Sequence, residues 1–323
     1  MASVLTDDAG AVILMGTGGE NVTTMVYPGA LDALNIYSLA VGVYAFKRLF
    51  GQYTGPLVRL RRESDNQLAD IWFDCDGVVT QYAVVGGAPI LASAIAAWSA
   101  SALVCIDTWY DQSARVKHLV QTTLADQPRL SYDATLGSYA ADFTSNYASG
   151  DQLYTSNVFT AATISNMQLI TKVRERSRLT GHTGYGPVVV GFNGIASGGS
   201  SGTTWLHMPD RFDNAGSDRG TNPKGRWYWL GRIGTPAGIV AAGSVARISA
   251  YVSSAQGGVG FTVNNLPYFA AGGTSFNVSN GMRVGGFYYN AQVGFYNGYV
   301  QYVVTLSTKV SEQTTTIIQA VMG

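Results

Sequence analysis

Alternation with a period of two is the feature that most narrows what this chain can fold into. In Leu57-Val58-Arg59-Leu60-Arg61, Val58 and Leu60 share one side and Arg59 and Arg61 the other. Ala246, Ile248, Ala250 and Val252 alternate with Arg247, Ser249 and Tyr251, and Val300, Tyr302, Val304 and Leu306 alternate with Tyr299, Gln301, Val303 and Thr305. A strand sends successive side chains to opposite faces, so these runs predict antiparallel sheets with one buried face. Gly, Asn and Ser turns separate them. Long irregular stretches between the runs favour a sandwich over a closed barrel. The spacing of apolar residues at 36, 39, 40, 43, 46 and 50 predicts a helix over Ile36–Phe50, with Lys47 and Arg48 in its last turn and Gly51 after it.

The 323 residues are enough for one domain with a substantial core. Residues 1–30, apolar and Gly-rich, are expected to form an extended arm that docks on a neighbour or packs on its own domain; residues 31–323 form the sandwich. Only 12% of residues are charged, and Lys+Arg and Asp+Glu are both 20. A chain of zero formal net charge lacks the basic footprint of a nucleic-acid binder, and its weakly charged, Tyr- and Gly-rich surface suits an assembly.

Cys75 and Cys105 are too few for a disulfide framework and show no zinc spacing; two buried thiols are expected, with a single disulfide left open. Residues 77–106 carry no charge, but Gly86-Gly87-Ala88-Pro89 and three serines interrupt them. They are read as buried structure, with no membrane span. The first residues lack a basic leader, so no secretory signal is expected.

Two segments carry a family resemblance. The first is Tyr53-Thr54-Gly55-Pro56-Leu57-Val58-Arg59-Leu60-Arg61-Arg62-Glu63-Ser64-Asp65-Asn66 with Asp70-Ile71. The second is Trp109-Tyr110-Asp111-Gln112-Ser113 with His118, Gln121 and Gln127-Pro128. Together they resemble the N-terminal half of the catalytic domain of arabinofuranosidase B-type glycoside hydrolases, and the pattern is also similar to structural and tail proteins of phages and large viruses. Near the C-terminus, Met282-Arg283-Val284-Gly285-Gly286, then Phe295-Tyr296-Asn297-Gly298-Tyr299-Val300, resembles the closing strands of laminin G-like sandwiches. The resemblance implies a concanavalin A/laminin G-like, jelly-roll type antiparallel β-sandwich with a few short helices. It also implies a terminal helix capped by Ser311, with Ile317, Ile318 and Val321 facing inward.

The same resemblance places a general-acid Asp directly after the Gly-Gly, where this chain has Phe287-Tyr288-Tyr289. It also implies a vicinal Cys pair and a Glu in an Asn-Ala-Glu context, and neither is present. No Glu occurs between Arg178 and Ser311. Because retaining hydrolysis needs two carboxyl groups about 5–5.5 Å apart, no catalytic residue is assigned and the expectation is a protein without enzymatic activity.

Phe287, Tyr288, Tyr289, Trp205 and Tyr228 are candidates for contact with a ligand or a neighbour, since exposed rings stack on sugars and are enriched at interfaces. Lys172, Arg174, Arg176 and Arg178 alternate, so a strand lines them on one face, either solvated and offset by Glu175 or turned to an acidic partner. Asp210, Asp213 and Asp218 offer a Ca²⁺ loop or simply a solvated turn, and no other cofactor is expected. His118 is expected to make a structural hydrogen bond, and Asp111 and Gln112 to satisfy backbone groups in a turn.

The resulting expectation is a non-enzymatic virion structural protein of capsid or tail. It would be made in the host cytoplasm and act through contacts with its own copies and other virion proteins. The alternatives are a carbohydrate-binding module that recognises a surface glycan and a divergent glycoside hydrolase.

Overall fold

The computed structural model describes residues 3–6, 12–15, 29–77, 79, 82–85, 88–91, 95–144, 150–156, 158–159, 163–176, 188–192, 204–207, 228–229, 233–234, 240–241, 243–271, 276–277, 281–286, 288–289, 292–293 and 295–322. The period-two runs are strands: Val58–Arg62, Val245–Ser253 and Gly298–Leu306. One layer runs Leu266–Ala271, Gly258–Val263, Val245–Ser253, Asn166–Glu175 and Gly298–Leu306, each antiparallel to the next. The facing layer runs Leu68–Ile71, Val58–Arg62, Val104–Trp109, Leu119–Val120, Leu153–Thr155, Met282–Val284 and Val188–Phe192, again antiparallel throughout.

Side chains from both layers meet in one core. Leu169, Val173, Ile248, Ala250, Phe261, Val300 and Val303 pack with Leu60, Ile106, Trp109, Leu119, Leu153, Val190 and Val284. Ser138–Phe143 joins the layers, pairing with Gly298–Leu306 on one side and with Arg129–Asp133 on the other. The chain is an all-β, jelly-roll type sandwich with few helices. Ser3–Thr6 and Val12–Met15 pair as a separate two-stranded ribbon.

A smaller core backs the outer face of the first layer. Ala40, Val43, Ala45, Ile170, Tyr302, Val304 and Leu306 meet Leu31, Ile36, Leu49, Phe50 and the helix Glu312–Val321. Ser311 caps that helix, its Oγ accepting from the Thr314 N–H at 3.0 Å. Ile318 faces the core, while Ile317 points outward, contrary to the expectation for the inner face.

The helix expected over Ile36–Phe50 is instead a single 3₁₀ turn, Tyr37–Leu39, followed by the strand Ala40–Ala45. The cause is double burial. All six strand residues are buried, Val41 and Tyr44 in the main core and Ala40, Val43 and Ala45 in the smaller one. A register shift against Thr305 and Leu306 leaves Val41 as an extra residue. An apolar strand whose alternation slips by one imitates helical spacing.

Candidate functional site

The segment Trp109-Tyr110-Asp111-Gln112-Ser113 is a latch. Asp111 is fully buried, and its carboxylate accepts the N–H of Val43 (2.8 Å), Ser113 (2.9 Å) and Lys117 (2.9 Å) and the Ser113 hydroxyl (2.8 Å). Burial pushes its pKa up against those hydrogen bonds. Gln112 takes the Leu49 N–H on Oε1 (2.8 Å) and donates through Nε2 to the Lys47 carbonyl (2.9 Å). Two neighbouring polar side chains therefore fix the end of Ala40–Ala45 and the stretch that follows. His118 accepts the Asp111 N–H on Nδ1 at 3.1 Å, which leaves the proton of a neutral ring on Nε2. Burial pushes its pKa down.

What the latch positions is one wall of a cleft. Along one edge, Gly298–Leu306 pairs with Asn166–Glu175 over its whole length, interrupted by a bulge opposite Lys172 and Val173. Along the other it changes neighbours: Gly298, Tyr299 and Val300 pair with Phe143, Asp142 and Ala141, and Tyr302 onward pairs with Ala45 back to Ala40. Gln301 lies at the changeover, and the bulge opposite Lys172 and Val173 leaves it without a ladder partner on that side too. The two flanking strands part here and leave a cleft of about 500 Å³. Phe46 and Lys47, Asp76 and Gly77, Tyr132 and Tyr139 line it, together with Gln301 and Met322.

Each wall has a local cause. Tyr132 and Tyr139 are cross-strand partners in a hairpin whose turn is closed by Asp133, which accepts the Leu136 and Gly137 N–H groups on its carboxylate and carbonyl. The rings stand edge to face, centroids 5.8 Å apart at 85°. Tyr139 is rooted on Phe73 (5.5 Å), whereas Tyr132 is 63% exposed at the mouth. Asp76 sits in a turn where the Asp74 carboxylate accepts the Asp76 N–H (2.9 Å) and Gly77 adopts φ +83°. Lys47 donates to the last turn of the terminal helix at the Val321 carbonyl (2.6 Å), and Gln301 Nε2 donates to Met322 O (2.9 Å). Burial pushes the Lys47 amine down, opposed by Asp76, Cys75 and Asp74. The cleft thus combines aromatic faces with a cation, a carboxylate and an amide, the mixture that binds a polar small molecule with apolar faces.

The residues singled out in the sequence lie elsewhere. Lys172 and Arg174 share one face of Asn166–Glu175, and Arg176 follows its last residue. Lys172 is 2% exposed and donates to the Leu136 carbonyl at 3.2 Å; burial first, then Arg247 and Lys47, push its pKa down to about 8. Arg174 pairs with Asp133, Arg176 with Asp142, and both guanidinium groups lie over the Tyr299 ring at 4.5 and 4.9 Å. Trp205 lies opposite Gly191, and Tyr228 lies opposite His207 and Gly234. Tyr288 and Tyr289 pair with Val293 and Gln292. Arg178, Phe287, Asp210, Asp213 and Asp218 lie outside the described residues. Among the described residues, no three His, Cys, Asp or Glu side chains form a group able to hold a metal, and no helix is long and apolar enough to cross a membrane. Cys75 and Cys105 are unpaired thiols.

Asp151 is a carboxyl group that titrates far above its ordinary range. It accepts the Thr144 N–H at 2.7 Å, and its pKa is pushed up to about 7, chiefly by burial, with Asp142 and Asp126 adding to the shift and Arg129 opposing it. The folded chain therefore holds this proton to about pH 7, while the unfolded chain sheds it near 3.8. Stability falls as pH rises through that window, because the unfolded state binds fewer protons there. Asp151→Asn keeps an acceptor for Thr144 and removes the charge. Urea midpoints should match wild type at pH 4 and exceed it increasingly up to pH 8; a constant difference would refute the assignment.

No protein-family model matches the chain, and no curated protein does. Solved structures do. An arabinofuranosidase complexed with arabinofuranosyl-α-1,2-xylobiose superposes with a TM-score of 0.60 at 15% identity, over 91% of this chain and 64% of that one. A GH54 α-L-arabinofuranosidase soaked with a cyclic sulfate inhibitor gives the same values. This chain has the arabinofuranosidase fold. It spans about 64% of the length of those proteins. The expectation of a non-enzymatic virion structural protein is overturned: the solved structures that match over 91% of this chain are arabinofuranosidases.

Proposed function

We propose that this chain recognises a neutral glycan and that the cleft at the strand changeover is where it does so. The observation that carries the proposal is Tyr132: a large ring, 63% exposed, held at right angles to Tyr139 at the mouth of a cleft of about 500 Å³. Pockets of about 300–1,000 Å³ suit small ligands, and sugar rings lay their C–H faces on aromatic rings while their hydroxyls reach polar groups at the side. Lys47 supplies donors and Asp76 acceptors around that ledge. The arabinofuranosidase fold supports carbohydrate as the ligand class.

The test is calorimetric titration with arabinofuranosyl-α-1,2-xylobiose, xylotetraose, cellotetraose and galactotetraose. At least one should bind, and Tyr132→Ala should weaken it by about tenfold or more without moving the melting temperature, since the ring is mostly in solvent. Failure of every sugar, or equal binding by the variant, refutes the proposal.

A further inference from the structure

We propose that Gln301 selects the ligand of this cleft: its Oε1 accepts a hydrogen bond from a hydroxyl of the bound sugar, so the site takes neutral sugars and disfavours a uronate or sulfated unit. The inference rests on the glycan reading above and adds the group that reads the sugar.

Three features of Gln301 carry it. The residue lies at the changeover of neighbours in Gly298–Leu306, on a bulge, so the ladder does not fix its side chain against a cross-strand partner. A bulge at such a place aims a side chain that a regular strand would spend on packing. Gln301 is also 7% exposed, lines the cleft, and spends its Nε2 on the Met322 carbonyl at 2.9 Å. Only the nitrogen can donate to a carbonyl, so this bond settles which end of the amide is which. The remaining Oε1 has no partner among the described residues. A buried acceptor left unpaired is costly, and a ligand that donates to it recovers the loss.

Chemistry then sets the class. A hydroxyl donates to an amide oxygen; a carboxylate or sulfate offers only acceptors and would face Oε1 acceptor to acceptor, with the Asp76 carboxylate also on the cleft wall and the Lys47 ammonium, the cation there, donating to the Val321 carbonyl. Ser138, which also lines the cleft, has a buried Oγ without a partner among the described residues.

The experiment uses the full chain and whichever of the four oligosaccharides binds. Its singly O-methylated forms and its uronate counterpart are titrated against wild type, Gln301→Met and Gln301→Glu. In wild type, methylation of one hydroxyl should weaken binding by about tenfold, and the uronate should bind more weakly than the parent. That penalty should vanish in Gln301→Met, which has no acceptor, and persist in Gln301→Glu, which keeps one. A merely structural Gln301, holding only the Met322 carbonyl, makes both variants equally poor, because neither can donate to it. Equal loss in both variants, a methylation penalty unchanged in Gln301→Met, or a uronate that binds as well as its parent overturns the inference and leaves glycan binding standing. Failure of all four sugars to bind wild type overturns both.

Discussion

Asp111→Ala should destabilise the protein by about 3–5 kcal/mol, lowering the urea midpoint steeply. The substitution removes a fully buried carboxylate and orphans the N–H groups of Val43, Ser113 and Lys117, together with the Ser113 hydroxyl. Each buried donor without an acceptor costs about 1–3 kcal/mol. A domain is stable by only about 5–15 kcal/mol, so one such change takes a large share. Asp111→Asn should cost roughly half as much. Its oxygen can keep Val43 and Ser113, while its NH₂ faces the Lys117 N–H donor to donor. Because Val43 and Leu49 bracket Lys47, the same loss should loosen one wall of the cleft and weaken any ligand there. A midpoint shift worth less than about 1 kcal/mol for Asp111→Ala would show that the latch is dispensable.

Gly285→Ala should cost a further large increment, about 2–5 kcal/mol, from two independent sources. Gly285 has φ +84°, where a β-carbon costs about 1–2 kcal/mol. A Cβ there would also overlap the ring of Phe143, which is fully buried in the main core, adding about 1–3 kcal/mol of overpacking. The backbone cannot move aside cheaply: the Gly285 N–H donates to the Val189 carbonyl at 2.9 Å and its own carbonyl accepts the Tyr296 N–H at 2.8 Å. Phe143→Leu in the Gly285→Ala background separates the sources. Partial recovery of the urea midpoint by the smaller side chain identifies the clash; a further loss of the ordinary size for a truncated Phe leaves the backbone as the whole cause.

Much of the framework was open to reading from the residues alone. Strands with one face in a core repeat apolar residues at every second position, and Val58–Arg62 and Val245–Ser253 do so. In Gly298–Leu306 the bulge at Gln301 splits the expected single face, with Val300 in the main core and Tyr302, Val304 and Leu306 in the smaller one. Ser311 before a polar-apolar helical pattern caps its helix, because a hydroxyl satisfying an N–H one turn ahead is a local event. Asp111 and Gln112 were recognisable as backbone partners for the same reason, although the backbone groups they hold at Val43 and Leu49 lie 63 to 68 residues away. Alternation stopped being a guide where burial became two-sided. Ala40–Ala45 has no polar face, and its extra residue shifts the period, so tertiary packing overrode what the spacing implied.

The cleft was not legible at all. Lys47, Asp76, Tyr132, Tyr139 and Gln301 share no local motif, and each taken singly reads as a helix end, a turn, a strand or a core position. They meet only because one strand trades Ser138–Phe143 for Ala40–Ala45 along the same edge, leaving space where neither neighbour covers it. Periodicity tells which face of a strand is buried but carries no information about which strand lies beside it. The sequence by itself therefore determined the strands with one buried face and the helix cap, through local hydrogen bonding and the period of side chains. The tertiary structure alone decided the order of the strand edges, and with it the site, because edges pair through backbone groups that every residue has in common.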